Sequence, residues 1–329
     1  MTATQCWVVG RGGLLGRQVE TSLATAHAHV SFWRPQSPIR WHDTQRAVTD
    51  LARESASFFE RAAGSTEPWR LLWCAGAGVV PTSAEVVAEE TVTLEHFLGG
   101  VADRLAKDPQ LAQRGTLFFA SSAGGVYAAS SARPPFDETS PVTALAPYGH
   151  EKLLQEDLFT RLADECGVRL LIGRLSNLYG PGQTLSKPQG LIAHVGHAAL
   201  RREPVSIYVP LDTIRDYLFA PDAGRIIVAA IERHEATSQH DLAPRIVTKI
   251  FASEVETTVA TVLGTWHRVL RRPLRVALAG SPAGRLQPRV LSFRSAIWPD
   301  LHRQPTLLLL GIDAVRRDQL AGLLSAGVG

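Results

Sequence analysis

Val8-Val9-Gly10-Arg11-Gly12-Gly13-Leu14-Leu15-Gly16 is the stretch that decides the fold of this chain. It follows a short apolar run at 5–9 and opens a helical pattern over 14–26. The glycines at 10, 13 and 16 give a GxxGxxG spacing, and those at 10 and 12 a GxG. In a strand–turn–helix, the first glycine allows the tight turn. The second lets backbone approach a pyrophosphate, and the third lets the helix pack on the strand. The phosphates then rest on the exposed amides of the helix start. Gly10, Arg11, Gly12, Gly13, Leu14, Leu15 and Gly16 are therefore predicted to bind a dinucleotide.

Outward from this turn, β-rich runs alternate with helical patterns. Strands are predicted at 5–9, 29–33, 70–74, 116–120 and 169–174, and helices at 14–26, 44–63, 84–105 and 149–166. That alternation is the sequence form of a parallel α/β sheet. After about Tyr179 proline and glycine become frequent, with helices predicted at 191–202, 221–233, 253–263 and 312–324. The expected architecture is a Rossmann-type doubly wound parallel sheet with a smaller C-terminal α/β lobe. Residues 1–178 form the dinucleotide-binding domain in this reading. Residues 179–329 form mainly a substrate-binding lobe, with some segments returning to the sheet.

The 329 residues suffice for a sizeable core, and 45% hydrophobic with 20% charged residues is ordinary for a soluble globular protein. A net charge of +3 is far from the basic stripe of a nucleic-acid binder. Cys6, Cys74 and Cys166 lie far apart, as expected of free thiols in a reducing cytoplasm. The longest leucine run, Leu307 to Leu310, is too short to span a bilayer, and no signal peptide is evident. A cytoplasmic protein without membrane or nucleic-acid partners is expected. His194 and His197, three apart with no third ligand at metal-like spacing, are taken as helix-face residues rather than a metal site.

An acidic residue ending the second strand would bind the ribose 2′-hydroxyl of NAD, whereas an arginine accommodates the 2′-phosphate of NADP. Here the run Val30-Ser31-Phe32-Trp33-Arg34 ends in Arg34, and Arg11 adds a second cation. NADP(H) is thus favoured, with NAD(H) as the alternative. Further on, the strand Leu117-Phe118-Phe119-Ala120 delivers Ser121 and Ser122 to the carboxyl edge of the sheet, where ligands of open sheets bind. Pro147-Tyr148-Gly149-His150-Glu151-Lys152 then enters a helix. Tyr148 and Lys152, four apart, share one helical face. An ammonium near a phenol favours the phenolate, which suits Tyr148 to general acid/base work.

The turn, the Ser-Ser-x-x-x-Val-Tyr strand and the Tyr-x-x-x-Lys helix resemble the extended short-chain dehydrogenase/reductases, the NAD(P)-dependent epimerase/dehydratase family. Phe136-Asp137-Glu138-Thr139-Ser140-Pro141, Arg174-Leu175-Ser176-Asn177-Leu178-Tyr179-Gly180-Pro181-Gly182-Gln183 and Ile214-Arg215-Asp216-Tyr217-Leu218-Phe219 extend the resemblance along the chain. It implies Tyr148 as acid/base, and Lys152 as the residue that holds the nicotinamide ribose and lowers the tyrosine pKa. Ser122, or else Ser121, would bind the reacting oxygen. It adds Ala75 and Gly76 to the cofactor contacts. It further implies Asn177, Arg215 and Arg289 as contacts of a nucleotide-sugar diphosphate, with Gln189 and Leu191 near the base.

Departures narrow the chemistry. The family's 4,6-dehydratases carry adjacent Asp and Glu where this chain has Ala123-Gly124, and its GDP-fucose-type epimerase–reductases use a Cys and a His absent here. What the resemblance leaves is NADPH reduction of a keto group, C4 of a nucleotide-linked sugar. The alternatives are an NAD(P)-dependent nucleotide-sugar 4-epimerase and a non-catalytic NAD(P)-sensing protein. A homodimer through helices 84–105 and 149–166 is also implied.

Overall fold

The computed structural model describes residues 3–26, 29–80, 82–185, 190–237, 244–279, 287–302 and 304–326. Its first half runs β1 (Thr4–Val9), α1 (Leu14–Ala26), β2 (Val30–Phe32), α2 (Thr44–Ala63), β3 (Trp69–Trp73) and α3 (Ala84–Ala106). Then come α4 (Pro109–Gln113), β4 (Gly115–Ser122), α5 (Ala123–Val126), α6 (Pro147–Cys166) and β5 (Arg169–Leu175). These strands, with β9 (Ile246–Phe251), make a parallel sheet of order β2-β1-β3-β4-β5-β9. Every pairing within it is parallel. The predicted strands and the four predicted helices of the first half are all present.

The sheet is covered on both faces, as near-continuous apolar strands require. Period-two alternation sorts β1: Trp7 and Val9 face a core closed by Leu51, Phe58 and Phe59 of α2, Phe97 of α3 and Phe159 of α6. Cys6 and Val8 face Val19 and Leu23 of α1 and Ile227 and Ile231 further along the chain. Truncating a buried aromatic such as Phe58 would cost about 3–5 kcal/mol.

The chain leaves β1 toward β2 on one side and β3 on the other, so the carboxyl ends of β1 and β3 flank a topological switch point, where such sheets bind ligands. Gly10 sits there at φ +84°, and a Cβ on it would stand 2.6 Å from the Ala75 nitrogen. Only glycine fits that turn. A Cβ on Gly16 would meet the Gly10 carbonyl at 2.4 Å, so α1 lies directly on the turn.

The second half contains β6 (Asn177–Tyr179), α7 (Leu191–Leu200), β7 (Val205–Ile207), β8 (Ile214–Phe219), α8 (Ala220–Thr237) and β9 (Ile246–Phe251). It ends with β10 (Glu256–Thr258), α9 (Val259–Leu270), β11 (Val276–Leu278), β12 (Val290–Leu291) and α10 (Leu308–Ala326). β9 joins the large sheet beside β5, and α8 packs on α1. β10, β8, β12 and β6 form a second small sheet, and β7 with β11 a third. Around them lies a separate core of Tyr179, Ile192, Val195, Val262, Trp266 and Ile312.

One predicted helix needs correction. Residues 253–263 do not form a single helix: Ser253 is drawn to Asp216, Glu254 adopts φ +61°, and 256–258 pair with β8. The helix starts only at Val259, where the Thr258 side chain caps it by accepting from the Thr261 amide at 3.0 Å.

Candidate active site

A cavity of about 920 Å³ opens along the carboxyl ends of the large sheet and runs into the C-terminal lobe. One end is the glycine turn: Gly12, Gly13, Leu14 and Leu15 line it, followed by Ala75 and Gly76 after β3. Gly12 leaves open space where a side chain would stand, so backbone faces the cavity at the start of α1. This cradle fits a dinucleotide pyrophosphate.

Gly149 brings the predicted tyrosine into place. A Cβ at that position would lie 2.3 Å from the Gly125 carbonyl, so the start of α6 touches the α5 turn. Pro147 occupies the first helical turn, where its missing N–H costs nothing. Ser122, whose side chain accepts from the Gly125 amide at 3.1 Å, lies on the cavity wall beside the Tyr148 hydroxyl, close enough to bond it. Burial pushes the Tyr148 hydroxyl up to about 12; the Ser122 bond works against that, and the charge of Glu90 adds to it. The phenol is therefore held protonated, as a proton donor must be.

Lys152 lies one turn along α6. Its Nζ donates to the Ala120 carbonyl at 3.3 Å and to Gln155 Oε1 at 2.9 Å, and stands 6.0 Å from the centre of the Tyr148 ring. The two serines have different partners. Ser121 donates to Glu156 Oε1 at 2.5 Å, inside a buried network in which Arg174 grips Glu156 at 2.7 and 3.0 Å and reaches the Tyr127 hydroxyl at 2.6 Å. Ser122 alone faces Tyr148 across the cavity wall.

Of the residues predicted for the substrate, Asn177, Leu191 and Arg215 line the cavity. Asn177 donates to the Asp216 carbonyl at 3.0 Å. Arg215 is buried, and its donors go to the carbonyls of Ile214 and Arg289 and to Gln287 Oε1 rather than to a carboxylate. Burial lowers its pKa, the mark of a cation short of negative charge. Arg289 is placed differently: 72% exposed in its side chain, it pairs with Asp212 and is not among the cavity-lining residues. Its sequence context could not reveal that pairing across 77 positions. Gln189 lies outside the described residues.

At the end of β2, Arg34 makes a bidentate pair with Glu20 of α1, both bonds 2.8 Å, and Arg11 Nε donates to the same carboxylate at 3.1 Å. The two arginines thus converge, as the sequence suggested, but on a shared acid that the sequence reading did not include. Other residues it missed are Glu90, on α3, and Arg17, whose Nη2 donates to the Gly12 carbonyl at 3.1 Å; both line the cavity. Glu90 was detectable in principle, as a carboxylate one turn beyond buried Val87 and one before buried Leu94. His194 and His197 also face the cavity, and no metal-holding cluster occurs among the described residues. No described helix is long and apolar enough to cross a membrane.

Known proteins resemble the chain along these lines. The NAD dependent epimerase/dehydratase family matches residues 6–243. The dTDP-4-dehydro-6-deoxyglucose reductase of Escherichia coli is 29% identical over 116 residues, covering 35% of this chain and 36% of the relative. A putative UDP-glucose 4-epimerase of Methanocaldococcus jannaschii is 30% identical over 118 residues, 35% of this chain and 37% of the relative. The matched segments thus span little more than a third of those relatives. The same fold occurs in the UDP-glucose 4-epimerase of Thermotoga maritima crystallised with UDP-glucose, at 18% identity and a TM-score of 0.76 over 97% of this chain and all of that one. It recurs in the UDP-glucose 4-epimerase of Thermus thermophilus in complex with NAD, at 18% identity and a TM-score of 0.72 over 96% and 98%. With a match over most of its length and the glycine turn, serine strand and tyrosine–lysine helix gathered at one cavity, this chain belongs to the NAD dependent epimerase/dehydratase family.

Proposed function

We propose that this protein is an NADP(H)-dependent reductase acting on the C4 ketone of a nucleotide-linked sugar, with Tyr148 as the acid. The observation that carries this reading is the gathering of Tyr148, Ser122 and Lys152 at one cavity, at the rim of a dinucleotide cradle. When bound, the reduced nicotinamide supplies hydride to the carbonyl carbon. Tyr148 gives its hydroxyl proton to the carbonyl oxygen while Ser122 holds that oxygen, and Lys152 positions tyrosine and cofactor ribose. Arg215 and Asn177 line the path of the diphosphate, for which a guanidinium offers paired donors. Arg34 and Arg11 take the cofactor's 2′-phosphate in this reading. Residues 1–178 serve as the cofactor domain and 179–329 mainly as the substrate lobe, and the protein acts as a cytoplasmic homodimer through α3 and α6.

Tyr148→Phe is expected to abolish NADPH oxidation with 4-keto nucleotide sugars while cofactor binding, read by fluorescence titration, stays within a few-fold. Retained turnover overturns the assignment. A second reading, a 4-epimerase, is favoured by the fold neighbours, which are UDP-sugar 4-epimerases solved with NAD or UDP-glucose, and by the Glu20 carboxylate between the two arginines. It predicts interconversion of sugars with no net change at 340 nm.

A further inference from the structure

Glu90 lies in the stripe of α3 that is otherwise apolar. Val87, Leu94, Phe97, Leu98 and Val101 on the same stripe are all buried. Its Oε1 accepts from the Ala77 amide at 2.8 Å and from the Gly78 amide at 2.9 Å, which ties down the loop after β3. A neutral glutamine would accept the same two bonds without the cost of desolvating a charge. Holding the loop therefore does not account for a carboxylate at this position.

The second oxygen points at the catalytic pair. Oε2 stands 3.6 Å from the place a Gly76 Cβ would occupy, and Lys152 Nζ stands 3.8 Å from the same point. At Gly78 the corresponding point is 3.4 Å from Oε2 and 3.3 Å from Cδ2 of Tyr148. Carboxylate, ammonium and tyrosine ring thus border two residues that have no side chains to separate them.

We propose that Glu90 is a positioning residue of this site, whose negative charge opposes the Lys152 ammonium and keeps Tyr148 protonated, biasing the pair toward proton donation. The inference rests on the reading of Tyr148 and Lys152 as the acid/base pair. The charged groups facing the Tyr148 ring are Glu90 from α3 and Lys152 from α6, while β4 and α5 present the neutral Ser122 and Gly125. Glu151, next to Lys152, accepts from Thr91 of α3 at 2.6 Å, and Arg17 lines the cavity from α1. Two like charges disfavour each other, so a phenolate at Tyr148 is penalised by Glu90 and favoured by Lys152. Burial and Glu90 both raise the Tyr148 hydroxyl, in that order. The consequence is directional: a phenol donates to a ketone oxygen, whereas a phenolate abstracts from an alcohol.

The test is a pH titration of protein carrying 13C at the tyrosine Cζ, where the chain's five tyrosines give separate signals and Tyr148→Phe identifies the one of interest. In a titration from about pH 8 to pH 12 the wild-type midpoint lies at the upper end, and Glu90→Gln is expected to bring it about one unit lower, inside that range. Glu90→Ala should lower it too, and Glu90→Asp, which keeps the charge, should leave it near the wild-type value. An unchanged midpoint in the Gln and Ala variants overturns the proposal, and so does a shift shared equally by Asp, which would mean a packing effect. Because the titration needs no turnover, its failure leaves the acid/base reading standing. Turnover retained by Tyr148→Phe would remove that reading, whatever the midpoint.

Discussion

Tyr148 and Lys152 were legible from spacing, because residues four apart on a helix must share a face whatever surrounds them. Their electrostatics were not. Proximity of an ammonium suggests a lowered phenol pKa, yet burial dominates and Tyr148 is pushed up to about 12. The choice between Ser121 and Ser122 likewise depended on Glu156 and Arg174, which are 35 and 53 residues from Ser121 in the chain. Adjacent residues of a strand face opposite ways, so only one of the two serines can meet Tyr148. Arg34 offers a test at this scale. Its guanidinium donates both bonds of a bidentate pair to Glu20, and the proposed 2′-phosphate would have to take over those donors. Arg34→Ala is expected to reduce the preference for NADP(H) over NAD(H) by at least about tenfold in paired cofactor titrations, the loss of one charge-assisted bond. An unchanged ratio would place the 2′-phosphate elsewhere.

Elements in the first half were readable because β3, β4 and β5 are near-continuous buried runs and α1, α2 and α3 carry apolar stripes. The segment 253–263 was not, because its first residues are claimed by partners far away in sequence: Ser253 by Asp216, and Thr257 by its register with Arg215 in β8. Local propensity for helix yields there to sheet pairing and to the Thr258 cap. The contact between α5 and α6 is equally tertiary and places Tyr148. Gly149→Ala would put a methyl group 2.3 Å from the Gly125 carbonyl, an approach that backbone must move to relieve. It is expected to cost about 1–3 kcal/mol in denaturant unfolding and to lower activity further than that loss implies, by moving Tyr148 away from Ser122. Wild-type turnover at reduced stability would show that the α5–α6 contact does not set catalytic geometry.

Over the whole molecule, long-range ties close the second half onto the first. β9 extends the large sheet, α8 packs on α1, and Arg70 of β3 pairs with Glu235 of α8 at 2.6 Å. Two buried histidines belong to this late-sequence layer: His234 on α8, and His302 in the 3-10 turn Pro299–His302. Burial holds both below the ordinary histidine pKa, and nearby Lys249 adds to the effect at His302. Below about pH 6.5 the unfolded chain therefore binds protons that the folded protein refuses, so stability falls as pH drops through that value. Melting temperature is expected to decline between about pH 7.5 and pH 5.5, and less steeply in His234→Gln. Parallel profiles for the two proteins would assign the acid sensitivity to other groups.

The sequence by itself determined the doubly wound sheet, the glycine cradle and the tyrosine–lysine helix, since each rests on short-range spacing: period two in strands, 3.6 in helices, three glycines in one turn. Only the tertiary structure decided which serine meets Tyr148, that Arg11 and Arg34 converge on Glu20, that Arg289 turns to Asp212, and that Glu90 stands near Tyr148 and Lys152. Each of those outcomes is a pairing of polar groups brought together by chain crossings. Charge and hydrogen bonding act through space, so their partners cannot be read along the chain.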